Sequence, residues 1–341
     1  MADVARQAGV SPMTVSYAYN RPERVSERAA NQVRQAAAQL GYPGPHPGAR
    51  SLRRGRTGSV GVVLGEHLAY AFDDPQAARF LAGVAEVCAE QGLGMTLVPV
   101  TGQASDPARI GQAAVDGFVV WTTAEDDPVL DAVIRTGLPA VVHGRSARGD
   151  LPTVGIDDRA AAAAIGALAF ARARRPAVLS FPVDRRRQTY TANGLDPDDA
   201  TFPVTRYRLQ GLRDAWEATG GSWDDVRVAV CPVNSAEQGS SATERLLSNL
   251  PAADAIAAMS DELAFGALRA ARQAGLSIPT DLAVSGWDGT DEAGRTDLST
   301  VAQDLRDQGR ICAHLVMNPT WKPSPPTWAT IPRGSTATRP H

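Results

Sequence analysis

From residue 58 onward, short apolar runs alternate with helical stretches, and this alternation restricts the fold more than any other feature of the 341-residue chain. Strands are expected at 60–64, 95–100, 118–121, 140–143, 153–157, 177–181, 226–230, 255–259 and 282–287. Helices are expected between them at 76–91, 128–135, 159–173, 206–219, 236–249 and 262–274. Several of the helices stop at glycine: Gly92, Gly137, Gly220 and Gly275. Such β-α order builds parallel sheets with helices on both faces. Roughly 280 residues of it are too many for one small open sheet, so two lobes are expected, with a cleft outside the carboxyl ends of the strands.

The first 44 residues follow a different pattern. “DVARQAGVSPMTVSYAYN” reads as two short helices broken at Gly9-Val10-Ser11-Pro12. Gly9 can take the left-handed conformation that ends a helix, Ser11 can cap the next helix, and Pro12 suits its first position. Val4, Ala5 and Ala8 on the first piece can meet Val15 and Ala18 on the second. A third helix, capped by Ser26, carries Ala29, Val33, Ala37 and Leu40 on one stripe and ends at Gly41 and Pro43. Three helices broken in this way can project the start of the second one into a DNA major groove. Thr14 and Ser16 then offer short hydroxyls to the phosphates, Pro12, Met13 and Tyr17 fall where side chains reach base edges, and Ser11 and Asn20 belong to the same DNA-binding set. A plain three-helix core would use the same caps.

Charge favours the DNA reading. Residues 1–57 hold nine arginines against three carboxylates, a net +6, which leaves −9 on the rest of a chain whose total is −3. A basic head on an acidic body meets a polyanion through the head alone. No apolar run is long enough to span a bilayer, and no signal-peptide pattern is visible, so a cytoplasmic protein without membrane partners is expected. Cys88, Cys231 and Cys312 form no paired motif, and metal use is not expected. GxGxxG, a P-loop, HExxH and GxSxG are all absent, so neither a cofactor nor catalysis is expected.

“PHPGARSLRRGRTGS”, residues 45–59, is linker-like in composition, and “ARSLR” within it could form a turn or two of helix. The head, “ARSLR” and “VGVV” follow one another at the spacing of the lactose-repressor/galactose-repressor family of bacterial transcription regulators, which this chain resembles. The resemblance continues through 255–305, “AIAAMSDELAFGALRAARQAGLSIPTDLAVSGWDGTDEAGRTDLSTVAQDL”, and through “TWATIPRGST” near the end. It covers nearly the whole chain and is weak over 65–75 and 182–204. It implies an all-α helix-turn-helix head plus an α/β periplasmic-binding-protein-like body of two lobes with parallel sheets. The divisions expected are 1–44 for the head, 45–58 for a hinge linker with a short helix, and 59–341 for the effector-binding and dimerisation body. The resemblance also assigns Leu52, with Ala49 and Arg50 beside it, as a minor-groove wedge of the kind that kinks DNA. Two departures concern the head. Tyr17 stands where the family has a base-reading arginine, and the family has a few more residues before “DVA”.

In the body, Asp288 follows a strand, Arg208 begins a helix after a long loop, and Ser260 and Asp261 follow the strand at 255–259. A carboxylate and a guanidinium can hold adjacent sugar hydroxyls, and the resemblance places Arg208, Ser260 and Asp288 against an effector. Asp261 also reads as the cap of the following helix. Gly144 replaces a family carboxylate just before Arg145, and Asn234 replaces a stacking aromatic. Trp121 and Trp287, at strand ends, can supply aromatic faces or simply lobe packing. Tyr70 or Phe72, in “LAYAFDDP”, can reach a ligand from the first loop, and His143 reads as a buried strand-end histidine.

The expected function is a sequence-specific DNA-binding repressor controlled by a small molecule, a sugar or sugar derivative, held between the lobes. Double-stranded operator DNA and a second copy are the expected partners. The C-terminus carries no leucine heptad, which favours a dimer over a tetramer. A sugar-binding receptor or sugar-processing enzyme with a basic N-terminal extension is the alternative.

Overall fold

The computed structural model describes residues 1–44, 55–65, 68–121, 123–145, 149, 151–249 and 252–336. They divide into two compact units, Met1–Gly58 and Ser59–His341. The proposed wedge residues Ala49, Arg50 and Leu52 lie outside the described residues.

In the first unit, α1 (Ala2–Ala8) stops at Gly9, which takes a φ of 65°. A side chain would be strained there. Ser11 caps α2 (Pro12–Asn20) by accepting the Thr14 N–H at 3.0 Å, with Pro12 at the first helical position. Ser26 caps α3 (Glu27–Gln39) through the Ala29 N–H. Val4, Ala5, Val15, Val33, Ala36 and Ala37 form the core. The stripe expected on the third helix shifts at its end. Ala36 is buried and Leu40 is exposed, because the helix stops at Gln39 and leaves Leu40 as its cap. Met1 makes no side-chain cap bond to α1.

In the second unit, one lobe is built from β1 (Ser59–Leu64), α4 (Tyr70–Asp73), α5 (Pro75–Glu90), β2 (Gly94–Pro99), α6 (Asp106–Gln112), β3 (Phe118–Trp121), α7 (Pro128–Arg135), β4 (Ala140–His143) and β5 (Thr153–Val154). Its sheet runs β2-β1-β3-β4-β5, all parallel. The central strands β1, β3 and β4 are buried on both faces, which is why they read as continuous apolar runs.

The other lobe contains α8 (Asp158–Ala169), β6 (Pro176–Ser180), β7 (Tyr190–Asn193), α9 (Pro203–Glu217), β8 (Arg227–Val230), α10 (Ala236–Ser248), β9 (Ala255–Ala258), α11 (Asp261–Gln273), β10 (Ala283–Ser285) and α12 (Asp291–Arg295). Its sheet runs β10-β9-β6-β8-β7 and is parallel except for β7 against β8. The chain leaves this lobe after β11 (Thr300–Gln303), packs α13 (Leu305–Met317) on α5 and β4 of the first lobe, and returns as β12 (Trp328–Ile331), antiparallel to β11. The described chain therefore passes between the lobes three times.

Three helix pairs cross where both partners have glycine: Gly83 with Gly309 for α5 and α13, Gly166 with Gly211 for α8 and α9, and Gly239 with Gly266 for α10 and α11. A Cβ on Gly83 would overlap the Arg306 carbonyl, and one on Gly309 the Phe80 carbonyl. Backbone contact at this range leaves no room for a methyl group.

The strand expected at 153–157 narrows to Thr153–Val154, because Asp157 caps α8 through the Ala160 N–H at 3.2 Å. β7 was not expected: “YTAN” is polar, half-exposed, and paired only on one side. β11 was not expected either.

Candidate functional site

Loops leaving the carboxyl ends of β3, β4, β6, β8 and β10 converge on a cavity of about 440 Å³ lined from both lobes. Trp121 and His143 end β3 and β4, Phe181 follows β6, Asn234 follows β8 and Asp288 follows β10. This is the edge at which open α/β sheets bind ligands.

Arg208 is 6 % exposed and faces the cavity. Its Nε donates to Asp158 Oδ1 at 2.9 Å, its Nη1 donates to the Met259 carbonyl at 2.6 Å, and its guanidinium lies 3.8 Å from the Trp287 ring centroid. Asp158, at the first position of α8, also gains from the helix N-terminus. Arg208 does not begin its helix as expected: α9 starts at Pro203 and brings Arg208 in on its second turn.

Asp288 is 7 % exposed and holds a φ of 120°, a conformation that costs a non-glycine residue of order 1–3 kcal/mol. Its N–H is fixed to the Val301 carbonyl at 2.7 Å. Burial pushes its carboxyl well above the ordinary range, and the Asp261 and Asp74 charges add to this while Arg208 opposes it. The Gln303 amide reaches Oδ1 at only 3.5 Å.

Asn234 bridges the lobes. Its Nδ2 donates to Asp74 Oδ2 at 2.6 Å, and its Oδ1 accepts from Ser260 Oγ at 2.5 Å. Asp74 uses its other oxygen to cap α5 through the Gln76 and Ala77 N–H groups, each at 2.8 Å. On the first-lobe wall, Trp121 and His143 stack with centroids 5.0 Å apart, and Phe80 packs edge-on beneath Trp121. His143 donates from Nε2 to Gln308 Oε1 at 2.9 Å, and burial holds its pKa below the usual imidazole value.

Of the residues expected from sequence, Arg208, Asp288, Trp121, Asn234 and Arg145 line the cavity. Arg145 is half-exposed, 3.6 Å from Asp157. Ser260, Asp261 and Trp287 stand behind the wall. Ser260 caps α11 through the Leu263 N–H, which corrects the expectation that Asp261 does so. Asp261 instead accepts from Thr290 N, Thr290 Oγ1 and Thr300 Oγ1, and so pins the loop that carries Asp288. Trp287 is buried with one face taken by Arg208. Phe72 is 71 % exposed and does not line the cavity. α4 is a separate short turn ahead of the Asp74 cap, and Asp73 and Asp74 are what it delivers. Sequence reading missed Asp158, Gln303 and Gln308. Each reads as an ordinary polar residue near a helix start or a strand end.

In the head, Pro12 and Met13 project from the start of α2, Met13 at 62 % exposure. Thr14 Oγ1 and Ser11 Oγ are 2.9 Å apart. Tyr17 is half-exposed. The Asn20 amide turns back to the Ser16 carbonyl at 2.8 Å.

Comparisons with known proteins bear on both units. The family profile described as bacterial regulatory proteins, lacI family, matches residues 1–44, and that of a periplasmic binding protein-like domain matches 165–336. The HTH-type transcriptional regulator IpsA of Corynebacterium glutamicum is 36 % identical over 316 residues, covering 91 % of this chain and 88 % of that protein. The HTH-type transcriptional regulator CelR of Thermobifida fusca is 30 % identical over 325 residues, 92 % of this chain and 90 % of that protein. Among solved structures, a complex of the transcriptional regulator CelR with cellobiose superposes with a TM-score of 0.67 at 26 % identity, covering 98 % of both chains. A lac repressor dimer bound to operator and an anti-inducer gives 0.76 at 20 % identity over 98 % of both chains, which shows the shared fold. With a helix-turn-helix head, two parallel-sheet lobes around a cavity and relatives that are transcription regulators along nearly their full length, this chain belongs to the lacI family of bacterial regulatory proteins.

Proposed function

We propose that the chain is a cytoplasmic repressor whose hold on a near-palindromic operator is set by a sugar or sugar derivative bound between its lobes. The observation that carries the reading is one cavity lined by both a buried guanidinium at Arg208 and a buried carboxyl at Asp288. A donor and an acceptor on one cavity suit the hydroxyls of one sugar. The similar regulator CelR, solved with cellobiose, supports a carbohydrate ligand.

In this reading two copies bind together, each with α2 in a major groove. Pro12, Met13 and Tyr17 read bases, Ser11, Thr14 and Ser16 hold phosphates, and Asn20 braces the helix from behind. Ala49, Arg50 and Leu52 enter the minor groove between the two half-sites. Ligand changes the angle between the lobes and hence the spacing of the heads, a coupling worth about 1–3 kcal/mol in each direction.

The test is selection of genomic fragments by the full-length protein, followed by mobility shift with a panel of mono- and disaccharides. The expected outcome is one inverted-repeat motif whose affinity changes about 5- to 150-fold with one sugar class. Recovery of no motif would reject the regulator reading, and a motif indifferent to every sugar would reject the carbohydrate reading.

A further inference from the structure

Four side chains from both lobes form a directed chain of hydrogen bonds. His143 Nε2 donates to Gln308 Oε1 at 2.9 Å, Gln308 Nε2 donates to Gln303 Oε1 at 3.2 Å, and Gln303 Nε2 reaches Asp288 Oδ1 at 3.5 Å. His143 ends β4 in the first lobe. Gln308 sits on the first turns of α13, 1 % exposed. Gln303 ends β11, where the chain passes between lobes, and Asp288 belongs to the second lobe.

A glutamine amide so deeply buried is costly unless both its ends are satisfied. Gln308 is satisfied at both ends when the donors run from His143 toward Asp288. That polarity requires the Nε2–H form of a neutral His143 ring, which burial favours. Asp288 gains a donor through it, although the Asp288 backbone is strained and its carboxyl is short of partners.

We infer that Gln303, at the crossing between the lobes, and Gln308, on the first lobe, are positioning residues that tie the orientation of the Asp288 carboxyl to the opposite lobe, so that the state of the cavity and the arrangement of the lobes are read through one polar relay. The role deepens the regulatory function proposed above and rests on it for its biological meaning. The charged groups facing the relay are Asp158 and Arg208 on α8 and α9, Asp74 at the head of α5 and Asp261 on α11. None of them is bonded to either glutamine among the described residues.

The experiment uses the full-length, ligand-free protein with 15N in its five histidine rings. In the wild type, His143 is expected as the neutral Nε2–H tautomer. Gln303→Leu, which removes two links without touching His143, is expected to move the His143 Nε2 resonance and leave the other histidines in place. Gln303→Met serves if the leucine variant does not fold. Gln308→Glu sets a carboxylate against Nε2 and is expected to raise the His143 pKa by about 1–3 units. In parallel, Gln308→Leu is expected to change the affinity for the selected operator fragment at least about fivefold. A His143 resonance indifferent to residue 303, or an Nδ1–H tautomer in the wild type, would overturn the relay whether or not any operator is found. If His143 responds and the operator affinity does not, the connection of the relay to regulation is overturned.

Discussion

Asn234 and Asp74 meet across the cleft at 2.6 Å, so the amide that follows β8 in one lobe is held by the carboxylate that caps α5 in the other. Asp74 is 2 % exposed, and every bond it accepts comes from a group that would otherwise be orphaned. Asp74→Ala is expected to lower stability by about 1–3 kcal/mol, from the lost cap and the stranded Asn234 amide. Asp74→Asn keeps the cap but faces one amide with another, and should cost about 1 kcal/mol. Urea unfolding of both variants checks this; midpoints equal to the wild type would show that the cross-lobe bond carries no stability.

Asp288→Asn is expected to stabilise the ligand-free protein at neutral pH. The folded-state pKa of Asp288 lies well above its unfolded value, so burial is tolerated while the group is protonated and is penalised as pH rises through the interval between the two. Asparagine resembles the protonated form and accepts positive φ more readily than most residues. The gain should be about 1 kcal/mol or more near pH 7 and should vanish near pH 3. Melting curves of both proteins across that range are the measurement, and a gain that grows toward acid would contradict it.

Gly83→Ala is expected to cost about 3 kcal/mol or more, because its methyl group meets the Arg306 carbonyl and must push α13 off α5. Gly92→Ala is the informative control. Its Cβ meets nothing within 4 Å, so it suffers only the strain of a φ of 64°. Chemical denaturation should rank Gly83→Ala as the more damaging of the two.

Leu52→Ala is expected to weaken binding to the selected operator about tenfold or more, through loss of the apolar wedge. Sugar affinity of the body should be unchanged. Anisotropy titrations and calorimetry separate the two, and equal operator affinity would remove Leu52 from the mechanism.

The β-α body was legible because a strand covered on both faces must be apolar throughout, as at Val60, Val62 and Val63. The head was legible because Gly9, Ser11 and Pro12 each have a stereochemical reason to sit where they do. β7 was not legible, since an antiparallel edge strand half in solvent needs no apolar pattern. In the cavity, Arg208 and Asp288 stood out by residue type and by their place relative to the strands. Asp158 and Gln308 did not, because the partners that give them meaning are 50 and 165 residues away in sequence. Trp287, readable from sequence as an aromatic face or as lobe packing, is buried with one face against Arg208, a contact no local pattern announces.

The return of the chain as α13 also has a consequence for biosynthesis. The first-lobe sheet spans Ser59–Val154, yet the helix that covers α5 is made only from Leu305–Met317. That sheet must leave the ribosome with an apolar flank bare until most of the polypeptide has been translated. The core residues of the three-helix tip, in contrast, are all available within the first few dozen residues. During synthesis the helix-turn-helix head is therefore finished long before the two-lobed body.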